Sequence, residues 1–139
     1  MLLRSEDNLY SNTAQFINSS NSVTLYSAYL RTEQLKKLNE SGRINRIIVR
    51  WEIQDLCLGV SDMELFSYCM ENRIALYRNT RLHMKAFWDG ESRLLFGSAN
   101  VTGRGIGEAQ NCNYELNGIQ EGLTFEDNFY LNKVIAKSE

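Results

Sequence analysis

The sequence predicts an α/β fold, a mixed sheet flanked by helices, and three observations lead there. Through residue 79, β-rich runs alternate with stretches of helical periodicity, the order of a parallel, helix-covered sheet with right-handed crossovers. After that, two β-rich runs are joined by Asp89-Gly90-Glu91-Ser92, a hairpin signal that makes the rest of the sheet antiparallel. The length, 139 residues with 43% hydrophobic and 23% charged side chains, suits one domain with a real core.

The elements follow in order. The first twenty residues are polar but carry Leu9, Tyr10, Phe16 and Ile17 at helical spacing. "SVTLYSAY" (22–29) alternates and is β-rich, so it reads as a strand. Thr32 is placed to cap a short helix carrying Leu35 and Leu38, which stops at Gly42. "INRIIVRW" (44–51) is nearly apolar throughout, as an inner parallel strand is. Ser61-Asp62-Met63-Glu64 has capping-box spacing and opens a helix expected to bury Leu65, Phe66, Cys69 and Met70. "IALYRN" (74–79) is a third strand.

The hairpin strands are "LHMKAFW" (82–88) and "RLLFGSAN" (93–100). "GRGIG" (103–107) reads as a flexible loop at the rim of a cleft, and "NCNYELNGI" (111–119) as another strand. Thr124 caps a last helix with Phe125, Phe129, Val134 and Ile135 inward. Trp51 and Trp88 are expected in the core. Glu52 and Asp55 lack a third ligand nearby and read as loop acids. No repeat, linker or low-complexity tract divides the chain.

Composition narrows the function. The formal charge is −2, so no global basic field announces nucleic acid, and a polyanion must find a local patch. The start "MLLRSEDNLY" is not a secretory signal, and no apolar run approaches the ~20 residues of a membrane span. Cys57, Cys69 and Cys112 show no metal-binding spacing and read as reduced, mostly buried thiols of a cytoplasmic protein. With one histidine and scattered cysteines no zinc set is encoded, and no cofactor is expected.

That one histidine is the informative residue. Strand residues two apart share a face, so His83 and Lys85 project together while Met84, Ala86 and Trp88 turn into a core. The same arithmetic pairs Ser98 with Asn100, and the hairpin brings all four polar side chains to one end of the sheet. These groups suit a phosphodiester. A neutral imidazole can attack phosphorus and split one displacement into two easier ones. Lys85 and Asn100 can stabilise charge on the non-bridging oxygens, and Ser98 can hydrogen-bond to ring or phosphate. Glu115 is the candidate to orient the imidazole, with Glu108 as second choice. Arg104 could reach a backbone phosphate, and Arg50, Arg78 and Arg81 at strand ends could extend a basic groove.

The run "HMK…GSAN" resembles the HKD motif of the phospholipase D superfamily, HxK(x)4D(x)6GSxN. His83, Lys85, Gly97, Ser98 and Asn100 fall in register. The aspartate position holds Gly90, and Asp89, one residue earlier, reads as a turn residue. Residues 20–120 resemble the small, single-motif nuclease branch, which includes metal-independent restriction endonucleases. The resemblance implies a phospholipase D-like α/β sandwich over 1–139, a catalytic domain standing alone or within a longer protein.

That superfamily uses two motifs, one histidine attacking and the other protonating the leaving oxygen. One histidine therefore implies a homodimer with the centre on its twofold axis. The function implied is metal-independent endonuclease cleavage of DNA through a phosphohistidine, in a restriction or defence role. Single-stranded DNA or RNA stays open as substrate, and a separate recognition domain or subunit would read sequence. The alternatives are a phospholipid headgroup hydrolase of the same superfamily and a non-catalytic nucleic-acid-binding or dimerisation module.

Overall fold

The computed structural model describes residues 1–107 and 111–139. It opens on a short strand the sequence does not announce, β1 (Leu2–Arg4). Three residues carry no readable period, and β1 exists because its backbone pairs with the last strand, Leu3 opposite Asn117. Helix α1 (Leu9–Asn18) buries Leu9, Phe16 and Ile17 as its spacing predicts.

Strand β2 (Val23–Ser27), helix α2 (Thr32–Leu38), strand β3 (Ile44–Val49), helices α3 (Ile53–Cys57) and α4 (Glu64–Glu71), and strand β4 (Ala75–Arg78) follow. The expected parallel unit forms: β2 pairs with β3 and β3 with β4, both parallel. Strands β5 (Lys85–Trp88), β6 (Arg93–Gly97) and β7 (Leu116–Glu121) are antiparallel neighbours, and α5 (Phe125–Ala136) closes the chain. The sheet order is β1-β7-β6-β5-β2-β3-β4, with β5 antiparallel to β2.

Alternation splits the core between the two faces. Leu25, Ile47, Val49 and Phe87 join the cluster under α1, α2 and α4, while Tyr26, Ile48, Ala86 and Trp88 join a smaller one under α5. Each buried Leu, Ile, Val or Phe among these contributes roughly 1.5–3 kcal/mol. Two hydrogen bonds fasten α5: the Tyr26 hydroxyl donates to the Leu131 carbonyl at 2.9 Å, and Trp88 Nε1 donates to Asn128 Oδ1 at 3.0 Å. Burial pushes the Tyr26 phenol well above its usual range.

Several local expectations are corrected. Thr32 is the first helical residue of α2 rather than its cap; its N–H and hydroxyl both donate to the Asp62 carboxylate. The same contacts dissolve the supposed capping box, since Asp62 serves Thr32, and Ser61 Oγ accepts the Leu30 N–H at 3.1 Å. Long-range partners outcompete the local cap. On α4 only Leu65 and Cys69 are buried; Phe66 and Met70 face outward. On α5 Thr124 does cap the helix, but Phe125 and Phe129 stack outside at 6.2 Å between centroids, and Leu131, Val134 and Ile135 face in. Cys69 alone is a buried thiol; Cys57 is exposed and Cys112 half-buried. Trp88 is buried, and Trp51 is half-buried against the core.

Candidate active site

The antiparallel pairing of β2 with β5, β5 with β6 and β6 with β7 brings the end of β2, the start of β5, the end of β6 and the start of β7 to one edge. Parallel pairing adds the end of β3 to the same edge. Every residue singled out by the motif lies here, although the strands are shorter than expected. His83 precedes β5, Ser98 and Asn100 follow β6, and Glu115 immediately precedes β7. The strand arithmetic brings these residues to one edge; loop hydrogen bonds fix the Ser98 and Asn100 side chains.

Ser98 is held on two sides. Its hydroxyl donates to Glu115 Oε1 at 2.8 Å, and its Oγ accepts the Leu116 N–H at 3.0 Å. Glu115 is itself placed by its own N–H, which donates to Ser5 Oγ at 2.7 Å. Gly97 makes this register possible. A Cβ there would lie 2.2 Å from Asn117 Oδ1 and 2.4 Å from the Leu116 carbonyl oxygen, so no side chain fits.

Asn100 is fixed by strand β2's exit. Its Oδ1 accepts the Tyr29 N–H at 3.0 Å, and the next residue's N–H, Val101, donates to Ser27 Oγ at 3.1 Å. Among the described residues nothing accepts from Asn100 Nδ2, which leaves the amide donor available to a ligand oxygen. "GRGIG" supports this segment rather than forming a loose rim. Ile106 is fully buried, and a Cβ on Gly105 would lie 2.2 Å from the Asn100 carbonyl oxygen. The close approach of that glycine clamps the Asn100 backbone.

The lysine sits between opposing charges. Lys85 Nζ donates to the His83 carbonyl at 2.8 Å, which leaves two N–H donors. Burial holds its ammonium below the usual lysine value; the Glu115 carboxylate opposes that shift and Arg50 adds to it. Lys85, Glu115 and Arg50 therefore share one electrostatic neighbourhood.

Arg50 carries more than a role in a basic groove. Its guanidinium makes a forked pair with the Asp55 carboxylate, Nε at 3.0 Å from Oδ2, and lies 4.8 Å from the Tyr29 ring centroid. Asp55, expected as a loop acid, is buried and accepts the Glu52 N–H at 3.1 Å as well. The Arg50 side chain beside it holds its carboxyl below the usual carboxylate range. Tyr29, Asp55 and Ser27 are not legible as site residues in the sequence, because their place at this edge depends on how distant segments of the chain come together.

His83 differs from all of these. It is exposed, and no described residue hydrogen-bonds to its ring. Glu115 binds Ser98 rather than the imidazole, so the expected orienting bond has no counterpart among the described residues. Glu108, the second choice, lies outside the described residues. Asp89 is a turn residue: its Oδ1 accepts from the N–H groups of Glu91, Ser92 and Arg93, and the positive φ belongs to Gly90. Arg104 is exposed on its loop, where its carbonyl takes the Asn113 N–H at 2.6 Å. Arg78 Nε donates to the Trp51 carbonyl at 3.1 Å. Among the described residues no cluster of three or more His, Cys, Asp or Glu could hold a metal, and no helix is long and apolar enough to cross a membrane.

Comparison with solved structures places this geometry. The chain superposes on a phospholipase D family member, Nuc from Salmonella typhimurium, at a TM-score of 0.64 and 14% identity, covering 99% of this chain and 91% of that one. NucT from Helicobacter pylori matches at a TM-score of 0.68 and 13% identity, with 99% and 96% covered. Phosphatidylserine synthase from Haemophilus influenzae matches at 0.71 and 13% identity over 97% of this chain but 35% of its own. No protein-family profile and no curated protein matches the sequence. The chain has the phospholipase D fold.

Proposed function

We propose that this chain, on a phospholipase D fold, is a metal-independent phosphodiesterase that cleaves nucleic acid, with DNA as the leading substrate, at a site completed by a second copy of itself. One observation carries the reading. Lys85, Ser98 and Asn100 are brought to a single sheet edge beside the exposed ring of His83, with the Asn100 Nδ2 unpartnered among the described residues.

In this scheme a neutral His83 nitrogen attacks phosphorus. The N–P bond forms, the P–O bond to the leaving strand breaks, and the leaving oxygen takes a proton from His83 of the partner subunit. Water then attacks the phosphohistidine, the N–P bond breaks, and the water proton passes to that second imidazole. Lys85 and Asn100 bind the non-bridging oxygens, and Glu115 acts by positioning Ser98. Arg104 stays a candidate for a more distant phosphate.

The second copy is supported by a surface beside the site. Phe96 pairs in register with Gly118, and Leu116 lies two residues before Gly118, so Phe96 and Leu116 share a face. They are 46% and 53% exposed, with Tyr114 just beyond at 92%. Apolar groups left open next to an incomplete site fit burial against the same patch of a twin. A restriction or defence role, with sequence read by a separate domain or subunit, belongs to the same proposal.

One observation favours a second reading, a phospholipid headgroup hydrolase. A cleft of about 510 Å³ beside Lys85 is lined mostly by apolar groups, among them Met84, Leu94, Phe96, Leu123 and Leu131. The test uses plasmid, single-stranded DNA and phospholipid vesicles, all in excess chelator, with His83→Ala as control. Nicking that persists in chelator and disappears in the variant supports the nuclease. Headgroup release without nicking supports the lipid enzyme, and loss of all activity in chelator overturns both.

A further inference from the structure

Next to the apolar cleft, and sharing Met84 and Tyr130 with it, a second cleft of about 500 Å³ runs between the turn after β4 and the C-terminal half of α5. Its chemistry is opposite to that of the apolar cleft. Arg81 and His83 line one wall, and Lys133 and Lys137 the other. The two lysines are four residues apart, so they stand one above the other on the helix face. Leu82 and Val134 supply the apolar lining between the walls.

The charge here is not a sample of the surface. Acidic residues outnumber basic ones 17 to 15 in the chain, yet among the described residues no carboxylate lines this cleft. Arg4, Arg31, Lys36, Lys37, Arg50 and Arg93 each pair with a carboxylate. Arg81, Lys133 and Lys137 make no ion pair among the described residues. Lysines in a last helical turn are ordinarily explained by the helix dipole. That does not account for Arg81, which comes from a different element.

The two walls are also tied together. Asn79 Oδ1 accepts the Arg81 N–H at 3.0 Å, Asn79 Nδ2 donates to Ser138 Oγ at 3.1 Å, and the Glu139 N–H donates to the Arg78 carbonyl at 2.9 Å. The backbone segments that carry the cations are thereby held next to each other before any ligand arrives.

We infer that this cleft is a second phosphate subsite, taking the phosphate next to the scissile one in a polynucleotide chain. The inference rests on His83 as the reacting group. It deepens that reading, because a phospholipid with a single phosphodiester has no neighbouring phosphate to place against Arg81, Lys133 and Lys137.

The experiment measures binding of a fluorescent 12-nucleotide single-stranded DNA across a salt series, in the His83→Ala protein so that nothing turns over. Adding Lys133→Gln and Lys137→Gln should weaken binding about tenfold and flatten the salt slope by about 0.7, the value for one phosphate no longer neutralised. Arg81→Gln tests the other wall and should flatten the slope too, with no further flattening beyond about 0.7 when combined with the lysine changes. Arg43→Gln with Arg73→Gln is the control, since these exposed cations precede β3 and β4 at the opposite end of the sheet. It should leave the slope unchanged.

An unaltered slope in the lysine variant, an equal loss in the control, or no DNA binding at all would overturn the subsite. Unchanged melting temperatures establish that the variants fold. Cleavage by the wild-type protein in chelator is scored separately. If cleavage is absent while the slope still falls, the catalytic reading fails and the subsite stands; if cleavage is present and the slope holds, only the subsite fails.

Discussion

The two arms of the candidate site are built differently. The arm after β6 is locked: Ser98 is bonded to Glu115 and Leu116, Asn100 to Tyr29, and Gly97 and Gly105 sit where no Cβ fits. The arm before β5 carries His83 with an exposed ring that no described residue bonds. Asn100, one of the two groups that would stabilise transition-state charge, is thus held by the chain itself, as preorganisation requires, while Lys85 lies on the arm of His83. The group that would react is not so held. In a twofold site the missing constraint would come from the partner copy and the substrate, which is the division of labour a half-site calls for.

The sharpest way to break this contrast is His83→Ala. Cleavage should fall by about 10,000-fold or more, as for removal of a nucleophile. Stability should change by less than about 0.5 kcal/mol, because an exposed, unbonded ring holds nothing in place. A denaturant midpoint well below wild type would show that the imidazole is part of the scaffold.

Next in size is Asp55→Asn, behind the locked arm. It leaves Arg50 largely buried without its carboxylate, and the cost should be about 3 kcal/mol. The pH dependence has a defined sign. Asp55 titrates lower folded than unfolded, where the usual value is about 3.9. Its contribution is therefore complete above that unfolded value and is lost as pH falls through the depressed folded one. Acid unfolding followed by circular dichroism should show this limb in wild type and lack it in the variant.

Gly97→Ala should cost about 2–3 kcal/mol, since the new methyl meets the Leu116 and Asn117 backbone as well as a side chain. The smallest effect is expected at Ser98→Ala, about 1–2 kcal/mol from the removal of two hydrogen bonds, one of them to a carboxylate. Chemical denaturation ranks the two. A reversed order would mean that Ser98, rather than the close backbone approach, sets the geometry of this arm.

The parallel unit, the Asp-Gly hairpin and the Thr124 cap are legible in the sequence because each depends on residues close along the chain. The motif edge is legible for the same reason: offsets of two along a strand survive even where β5 and β6 end short of His83 and Ser98. What the sequence hides depends on partners far along the chain. Strand β1 needs Asn117, the supposed cap at Asp62 is claimed by Thr32, and Asn100 takes its orientation from Tyr29. Phe66, Phe125 and Phe129 face outward against expectation because hydrophobicity alone does not say which stripe of a helix finds a neighbour. Arg50 and Asp55 sit five residues apart, but only the fold buries their pair.

The central claim is met most directly by measuring the separation of the two His83 rings in the assembled protein in a crystal. Each reacting nitrogen must come within about 3–3.5 Å of its target atom, phosphorus for one ring and the leaving oxygen bonded to it for the other, so the two reacting nitrogens should lie about 8 Å apart or less across the twofold axis. A strictly monomeric protein, or a dimer whose His83 rings face away from each other, would contradict the account.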